Sequence, residues 1–276
     1  MLRRWGKYPI LLLPLQRGPL HGFFHFFMGY FLPVFGFRLK HPHKKIAVMD
    51  SAPLNAWFDL LPGSGPEIVP RDKVVKIAYL ARFTRYARGF RVRAFVGWDK
   101  SDRFSKRDLA AIRDALRQHT SLIAASVTTR RPQIIVLGRD FTPQHYAENL
   151  PTRYGTAKRN IPNLKEVVRA LSKKWDIELV DGATILPIEM VAKCLSASVL
   201  IGQHGAALTN LFFLPPGSHV VEIGWPELAD DRFLDMYRKM SHELGLAWQR
   251  PILQVDRFSK IDAEDLDLVL RNTIGR

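Results

Sequence analysis

The chain has 276 residues and a formal net charge of +15, from 41 Lys+Arg against 26 Asp+Glu. An apolar fraction of 47% with 11% aromatics excludes a disordered or collagenous chain, and the length suffices to bury one large core or two small ones. Cys194 is the only cysteine, which excludes an intrachain disulfide, and the positive excess favours an anionic partner: a nucleotide sugar, an acidic polysaccharide, a membrane surface or nucleic acid.

Near the start, basic residues precede the apolar run Pro9–Leu15. Pro14 interrupts that run and no small-residue cleavage site follows, so a buried strand over Tyr8–Leu13 is expected rather than a leader. His21–Leu32 is aromatic almost all round, which predicts a deeply buried helix. Gly22–Phe37 is too short and too interrupted to span a bilayer, although its phenylalanines leave a peripheral membrane contact open. Lys45–Met49 predicts a strand that ends in Asp50-Ser51, and Pro62–Pro66 a loop. Arg71–Tyr86 predicts a basic helix, Arg91–Val96 a strand, and Ser105–His119 an amphipathic helix with Leu109, Ile112 and Leu116 on one face.

Beyond Arg130-Arg131-Pro132 the chain alternates strand and helix. Strands are expected at Gln133–Leu137, Ile177–Val180, Ser198–Gly202, His219–Gly224 and Ala247–Val255. Helices are expected at Asn163–Trp175, Pro187–Ala197, Ala206–Phe213, Asp230–Leu244 and Ile261–Asn272. The alternation predicts an α/β chain with a doubly wound second half. A junction near Ser126–Pro132 divides it into residues 1–130 and 131–276, with the last helix free to pack back on the first half.

The most informative stretch is Ser198–Glu227. It reads strand, Gln203-His204-Gly205 turn, short helix, Pro215-Pro216-Gly217 stop, strand. Ligands of open α/β sheets sit at the carboxyl ends of strands, where this turn falls. The amides of Ala206, Ala207 and Leu208 at the helix start would suit a phosphate, and Gly205 leaves room for close approach. Alone, a His-Gly pair is an ordinary turn.

The whole string HGA-x-LTN-x-x-FLPPG-x-x-VVEI, from His204 through Ile223, resembles the signature of glycosyltransferase family 61. Two further places agree. Arg139 follows a strand, and Arg159-Asn160-Ile161-Pro162-Asn163 matches an Arg-x-Ile-x-Asn string. His25 and Leu32-Pro33 match an aromatic segment of the family, although the acidic residue expected near Gly29 is absent.

The resemblance implies a GT-B-like fold of two facing Rossmann-like halves with parallel sheets. It implies an inverting transfer from a UDP-sugar to a glycan or glycoprotein hydroxyl, with no cofactor, no metal and no nucleic acid. Xylose, N-acetylglucosamine and arabinose are all open as the sugar. The sequence agrees that no Asp-x-Asp ends a strand: the one such string, Asp265-x-Asp267, lies in the final helix. The implied donor site comprises Arg139, Arg159, Asn163, His204, Gly205, Ala206, Ala207, Leu208, Thr209, Asn210 and Glu222. Arginine suits a diphosphate through its planar, permanently charged fork. His204 is expected to donate to a phosphate oxygen or to the sugar–phosphate bridging oxygen, with little effect on stability if replaced.

The general base is expected at His25, for its pKa, or at Asp50, for its place at a strand end. Asp50 could equally cap the following helix. Glu222, buried in VVEI, needs a partner such as His204, a ribose hydroxyl or backbone. A cytoplasmic protein, soluble or loosely membrane-associated, is expected. The rival class is a non-catalytic binder of anionic polymers or nucleic acid, resting on charge alone.

Overall fold

The computed structural model describes residues 8–14, 22–84, 86–87, 89–95, 97, 106–130, 132–138, 158–182, 184–229 and 235–275. The chain divides into two compact units, Met1–Arg103 and Phe104–Arg276. Each is built on a five-stranded sheet, as an α/β reading requires.

In the first unit the strands are β1 (Ile10–Pro14), β2 (Ile46–Met49), β3 (Glu67–Val69), β4 (Tyr86–Ala87) and β5 (Phe90–Phe95). Their order is β3-β2-β1-β5-β4. All pairs are parallel except the edge pair β4 and β5. Leu11, Ala47 and Val69 form one core with Val74 and Ile77 of the helix Arg71–Thr84.

The aromatic segment is a helix, with a twist in its geometry. It runs through Phe23–Phe26, widens to a π-turn over Phe27–Phe31, and continues as Leu32–Lys40. Pro33 has no amide to donate to the preceding turn, and the widened turn falls just before it. Phe26 meets Tyr30 and Phe58 edge to face, at 6.2 and 5.5 Å between ring centres. The Tyr30 hydroxyl donates to the Leu12 carbonyl at 3.0 Å and accepts from the Met49 amide at 2.5 Å, which locks the helix to β1 and β2.

Phe24, Phe26, Phe27, Phe31 and Phe35 are all buried, so the membrane contact expected through them is not on offer: their apolar area is spent on the core. Among the described residues no helix is long and apolar enough to cross a membrane. Gly29, where the family's acidic residue was looked for, lies against Gly97 so closely that a Cβ on Gly97 would collide with the Gly29 Cα.

In the second unit the strands are β6 (Ile134–Gly138), β7 (Ile177–Asp181), β8 (Val199–Gln203), β9 (His219–Ile223) and β10 (Ala247–Gln249). Every pairing is parallel, in the order β10-β9-β8-β6-β7. Strands β6 and β8 are buried throughout, which explains their unbroken apolar sequences. The order reverses beside β6, so the crevice expected of a doubly wound sheet opens at the carboxyl ends of β6 and β8. The last strand ends at Gln249 rather than Val255, and the helix expected from Asp230 is seen over Met236–Glu243, with 230–234 outside the described residues.

The helix Lys106–Ala124 belongs to this second unit, ahead of the junction expected near residue 130. It packs on the helix Pro187–Ser196, and Arg113 donates through Nη1 to the Leu244 carbonyl. The last helix, Ala263–Ile274, also stays with this unit: Leu266 and Leu270 join the core of Ile134, Val136, Val199 and Ile201. Its Asp267 accepts from Trp175 Nε1 at 2.7 Å, Lys174 Nζ at 2.9 Å and Arg271 Nη2 at 2.6 Å. These donors, Trp175 first, hold its carboxyl below the usual carboxylate range, and they give the Asp-x-Asp string a structural use. Cys194 is fully buried and its thiol is pushed up to about 12, so it is inert.

The close approach of Gly97 to Gly29 yields a test. Gly97→Ala forces a methyl group into backbone and should cost the first unit about 1–3 kcal/mol or more. Denaturant unfolding reads this directly, and an unchanged midpoint would contradict the packing described.

Candidate functional site: the turn at the carboxyl end of β8

Residues 203 and 204 leave β8 on opposite faces of the sheet. The turn is completed by Gly205 at φ 148°, ψ 179°, a conformation open essentially to glycine alone. The helix Ala206–Phe213 then starts, with the bounds the sequence predicted, as a 3-10 helix. Its first bond is the Leu208 amide to the Gly205 carbonyl at 2.9 Å. Leu208 therefore has no amide to offer, and its side chain is buried. Ala206 and Ala207 are the positions whose amides have no acceptor within the helix, and both are half-buried.

His204 stands on one face. Its amide donates to the Ile223 carbonyl at 3.2 Å, extending the β8–β9 ladder. Its Nδ1 is hydrogen-bonded to Glu222 Oε1. Glu222 is wholly buried on β9 and accepts at Oε2 from Trp248 Nε1 at 2.9 Å and Arg250 Nη2 at 3.2 Å. The parallel register of β9 with β10 brings Trp248 and Arg250 to the same face as Glu222. The His204 ring also meets Tyr237 and Trp225 edge to face, at 5.6 and 6.4 Å.

With a carboxylate at Nδ1, the neutral ring carries its hydrogen there, and its other nitrogen is an acceptor. The donation to a phosphate or bridging oxygen expected of this ring therefore calls for its protonated form. The expectation that His204 is dispensable for stability is corrected. The side chain is buried, and removing it strips a partner from a buried carboxylate, at about 1–3 kcal/mol.

Gln203 stands on the other face and is also buried. Its Nε2 donates to Gln254 Oε1 at 2.6 Å and to the Arg257 carbonyl at 3.0 Å. Gln254 Nε2 donates to the carbonyls of Asn160 at 3.1 Å and Ser259 at 2.6 Å. The Asn160 amide donates to the Arg257 carbonyl at 2.9 Å. The segments around 158–163 and 250–260 are thereby bound to the end of β8.

Arg159 sits at the centre of this. Its Nη1 donates to the His204 carbonyl at 2.5 Å, and its guanidinium lies 5.8 Å from the Trp225 ring centre. Burial is the main cause holding its pKa below the usual arginine value. Asn163 has a different task. Its Nδ2 donates to the Ile261 carbonyl at 2.8 Å and its Oδ1 accepts from the Ile261 amide at 3.1 Å. Both ends of the amide bond backbone, so Asn163 ties the start of its helix to Ile261.

Thr209 and Asn210 are buried within the helix. Asn210 Nδ2 donates to the Ala207 carbonyl at 2.9 Å, which stiffens the helix start from within. Arg139 lies outside the described residues.

The two expected base candidates are in the first unit. Asp50 follows β2 at its carboxyl end, and its Oδ1 accepts from Asn55 Nδ2 at 2.7 Å. Asn55 Oδ1 in turn accepts from the Ser51 amide at 2.8 Å at the start of the helix Ala52–Leu60. Asp50 thus orients the capping residue and is not itself the cap. His25 is half-buried on the aromatic helix, its ring 5.4 Å from that of Phe24.

The second unit thus gathers Arg159, His204, Glu222 and the Gly205–Ala207 helix start at the switch point of a parallel sheet. That is an α/β protein with its candidate site at the carboxyl edge of the sheet, where ligands of such folds sit. Comparison with known proteins gives the class a family. The pattern described as Glycosyltransferase 61 matches residues 23–221, most of the chain. The chain belongs to glycosyltransferase family 61, and it is a glycosyltransferase.

No curated protein matches it. Among solved structures it is similar to the crystal structure of the glycosyl transferase family 9 from Veillonella parvula DSM 2008, at 11% identity and a TM-score of 0.39, over 98% of this chain and 90% of that one. That likeness is too slight to bear on the site.

Trp225, Tyr237, Trp248, Arg250, Gln254 and Arg257 escaped the sequence reading. Only Arg250 carried a signal: it stands two residues after Trp248, on the face that a β9–β10 pair would share with Glu222.

A pH dependence follows. Burial, with the Arg159 and Arg250 charges adding to it, lowers the His204 pKa against the opposing pull of Glu222. The unfolded ring, at about 6.5, therefore takes a proton more readily than the folded one. Stability should be full above about pH 6.5 and fall as the pH drops through the lowered folded value. His204→Gln should flatten that acid-side fall in a plot of melting temperature against pH, and equal slopes in both proteins would contradict the assignment.

Proposed function

We propose that the protein transfers a sugar from a uridine diphosphate sugar to a hydroxyl of a glycan or glycoprotein, with inversion and without a metal ion. The observation that carries this reading is the bond between Arg159 and the His204 carbonyl. It fixes a guanidinium beside a helix start that the family signature contains. The developing charge of the leaving diphosphate falls to Arg159 and to the Ala206 and Ala207 amides, held in place before reaction begins. Arg139, the residue after β6 in the sequence, is a further candidate contact.

His204 serves through its carbonyl, which positions Arg159, and through its ring, which ties the turn to Glu222. On the acceptor side Asp50 takes the hydroxyl proton in this reading, because Asn55 orients its carboxylate at a strand end. His25 is the other base candidate. Transfer of the xylose, N-acetylglucosamine or arabinose class, and work in a cytoplasm, remain part of the proposal.

Thermal shift with UDP and UDP-sugars tests the donor. A ligand at 100 times its Kd should add about 2.7 kcal/mol, equally with and without chelator. Stabilisation that disappears with chelator contradicts the metal-free step. Arg159→Ala should lower turnover roughly 100- to 1000-fold, while Lys173→Ala, an exposed charge at the opposite end of the sheet, changes little. Asp50→Asn should lower kcat by about 100-fold or more with UDP affinity unchanged, and full turnover in that variant removes Asp50 from the base role.

A further inference from the structure

Arg257 follows β10 in a segment beyond the residues that the family pattern matches. Its backbone is pinned rather than loose. The Arg257 carbonyl accepts from the Asn160 amide at 2.9 Å and from Gln203 Nε2 at 3.0 Å. Asn160 is the neighbour of Arg159 in the chain, and Gln203 is the neighbour of His204. One residue that places Arg257 thus belongs to the donor turn, and the other adjoins Arg159. Gln203 and Gln254, both buried, complete the brace.

The side chain of Arg257 is exposed, and its guanidinium lies over the Phe258 ring, 5.2 Å from the centre. Burial is the main cause that lowers the Arg159 pKa; Tyr237 opposes it, the positive charge of Arg257 adds to it, and Glu222 opposes it in turn. Two like charges braced together at the switch point repel, and an anion between them relieves the repulsion. Glu222 offsets part of that repulsion from a distance, but its hydrogen bonds go to His204, Trp248 and Arg250 rather than to either of these two guanidiniums.

We infer that Arg257 supplies a second guanidinium to the donor diphosphate, beside Arg159, making it a donor-binding residue outside the family signature. The inference rests on the donor site proposed above. A nucleoside diphosphate carries more negative charge than the monophosphate, so a second arginine should favour the diphosphate selectively.

The test is equilibrium binding of UDP and UMP to the wild type, Arg257→Ala, Arg257→Lys and Arg159→Ala, with the melting temperature of each free protein as the control for folding. A charge-assisted hydrogen bond lost in Arg257→Ala should weaken UDP binding about 10- to 100-fold. UMP should lose less, and Arg257→Lys should recover part of the loss. If Arg257→Ala binds UDP as the wild type does while Arg159→Ala is weakened, the inference falls and the donor site stands. Equal losses for UDP and UMP also overturn it, since the contact would not be to the diphosphate. If the wild type binds no UDP, or neither arginine matters, the donor-site reading falls and takes the inference with it.

Discussion

A carboxylate wholly shielded from solvent organises the second unit. Glu222 sits on the central part of a parallel sheet, where a bare negative charge is prohibitively costly. Three donors make it tolerable: His204 from the turn after β8, Trp248 from β10 and Arg250 just beyond it. They come from two neighbouring segments, so satisfying one carboxylate ties both the turn after β8 and the end of β10 to β9. Removing any one partner leaves the charge under-compensated, which is the expensive failure for a buried ion.

The donor turn inherits its rigidity from this arrangement. With the His204 ring held by Glu222, its carbonyl is held too, and that carbonyl carries Arg159. Gly205 then redirects the chain into the helix start through a conformation that other residues avoid. On the opposite face, Gln203 and Gln254 bind the Asn160 and Arg257 segments to the same strand end. The turn is thus clamped from both faces of the sheet, which suits a site that must hold charge without reorganising.

How much of this was legible in the sequence varied with the range of the interaction. The strand, turn, helix and strand around His204 were legible because their signals are local: apolar runs, a glycine, a Pro-Pro-Gly stop. The family string adjoined them and fixed the class of chemistry. Partners brought in by the fold were not legible. Nothing near Arg257 marks it, since its place depends on a backbone bond to Asn160, almost a hundred residues away. Asn163 read as a ligand contact, and its bonds to Ile261, again distant in sequence, left no local mark. The phenylalanines after Gly22 read as a buried helix with a membrane contact left open, and packing against Trp57 and Phe58 decides for core. The helix Lys106–Ala124 reads as amphipathic in either unit, and its apolar stripe does not say which neighbour covers it.

The central claim is that the donor diphosphate sits on the turn after β8. A crystal structure of the protein with UDP tests it most directly. The account predicts phosphate oxygens within hydrogen-bond distance, about 3 Å, of the Arg159 guanidinium and of an amide at Ala206 or Ala207, with the His204–Glu222 bond intact. A diphosphate bound elsewhere on the sheet edge, with Arg159 still turned only to the His204 carbonyl, would contradict it.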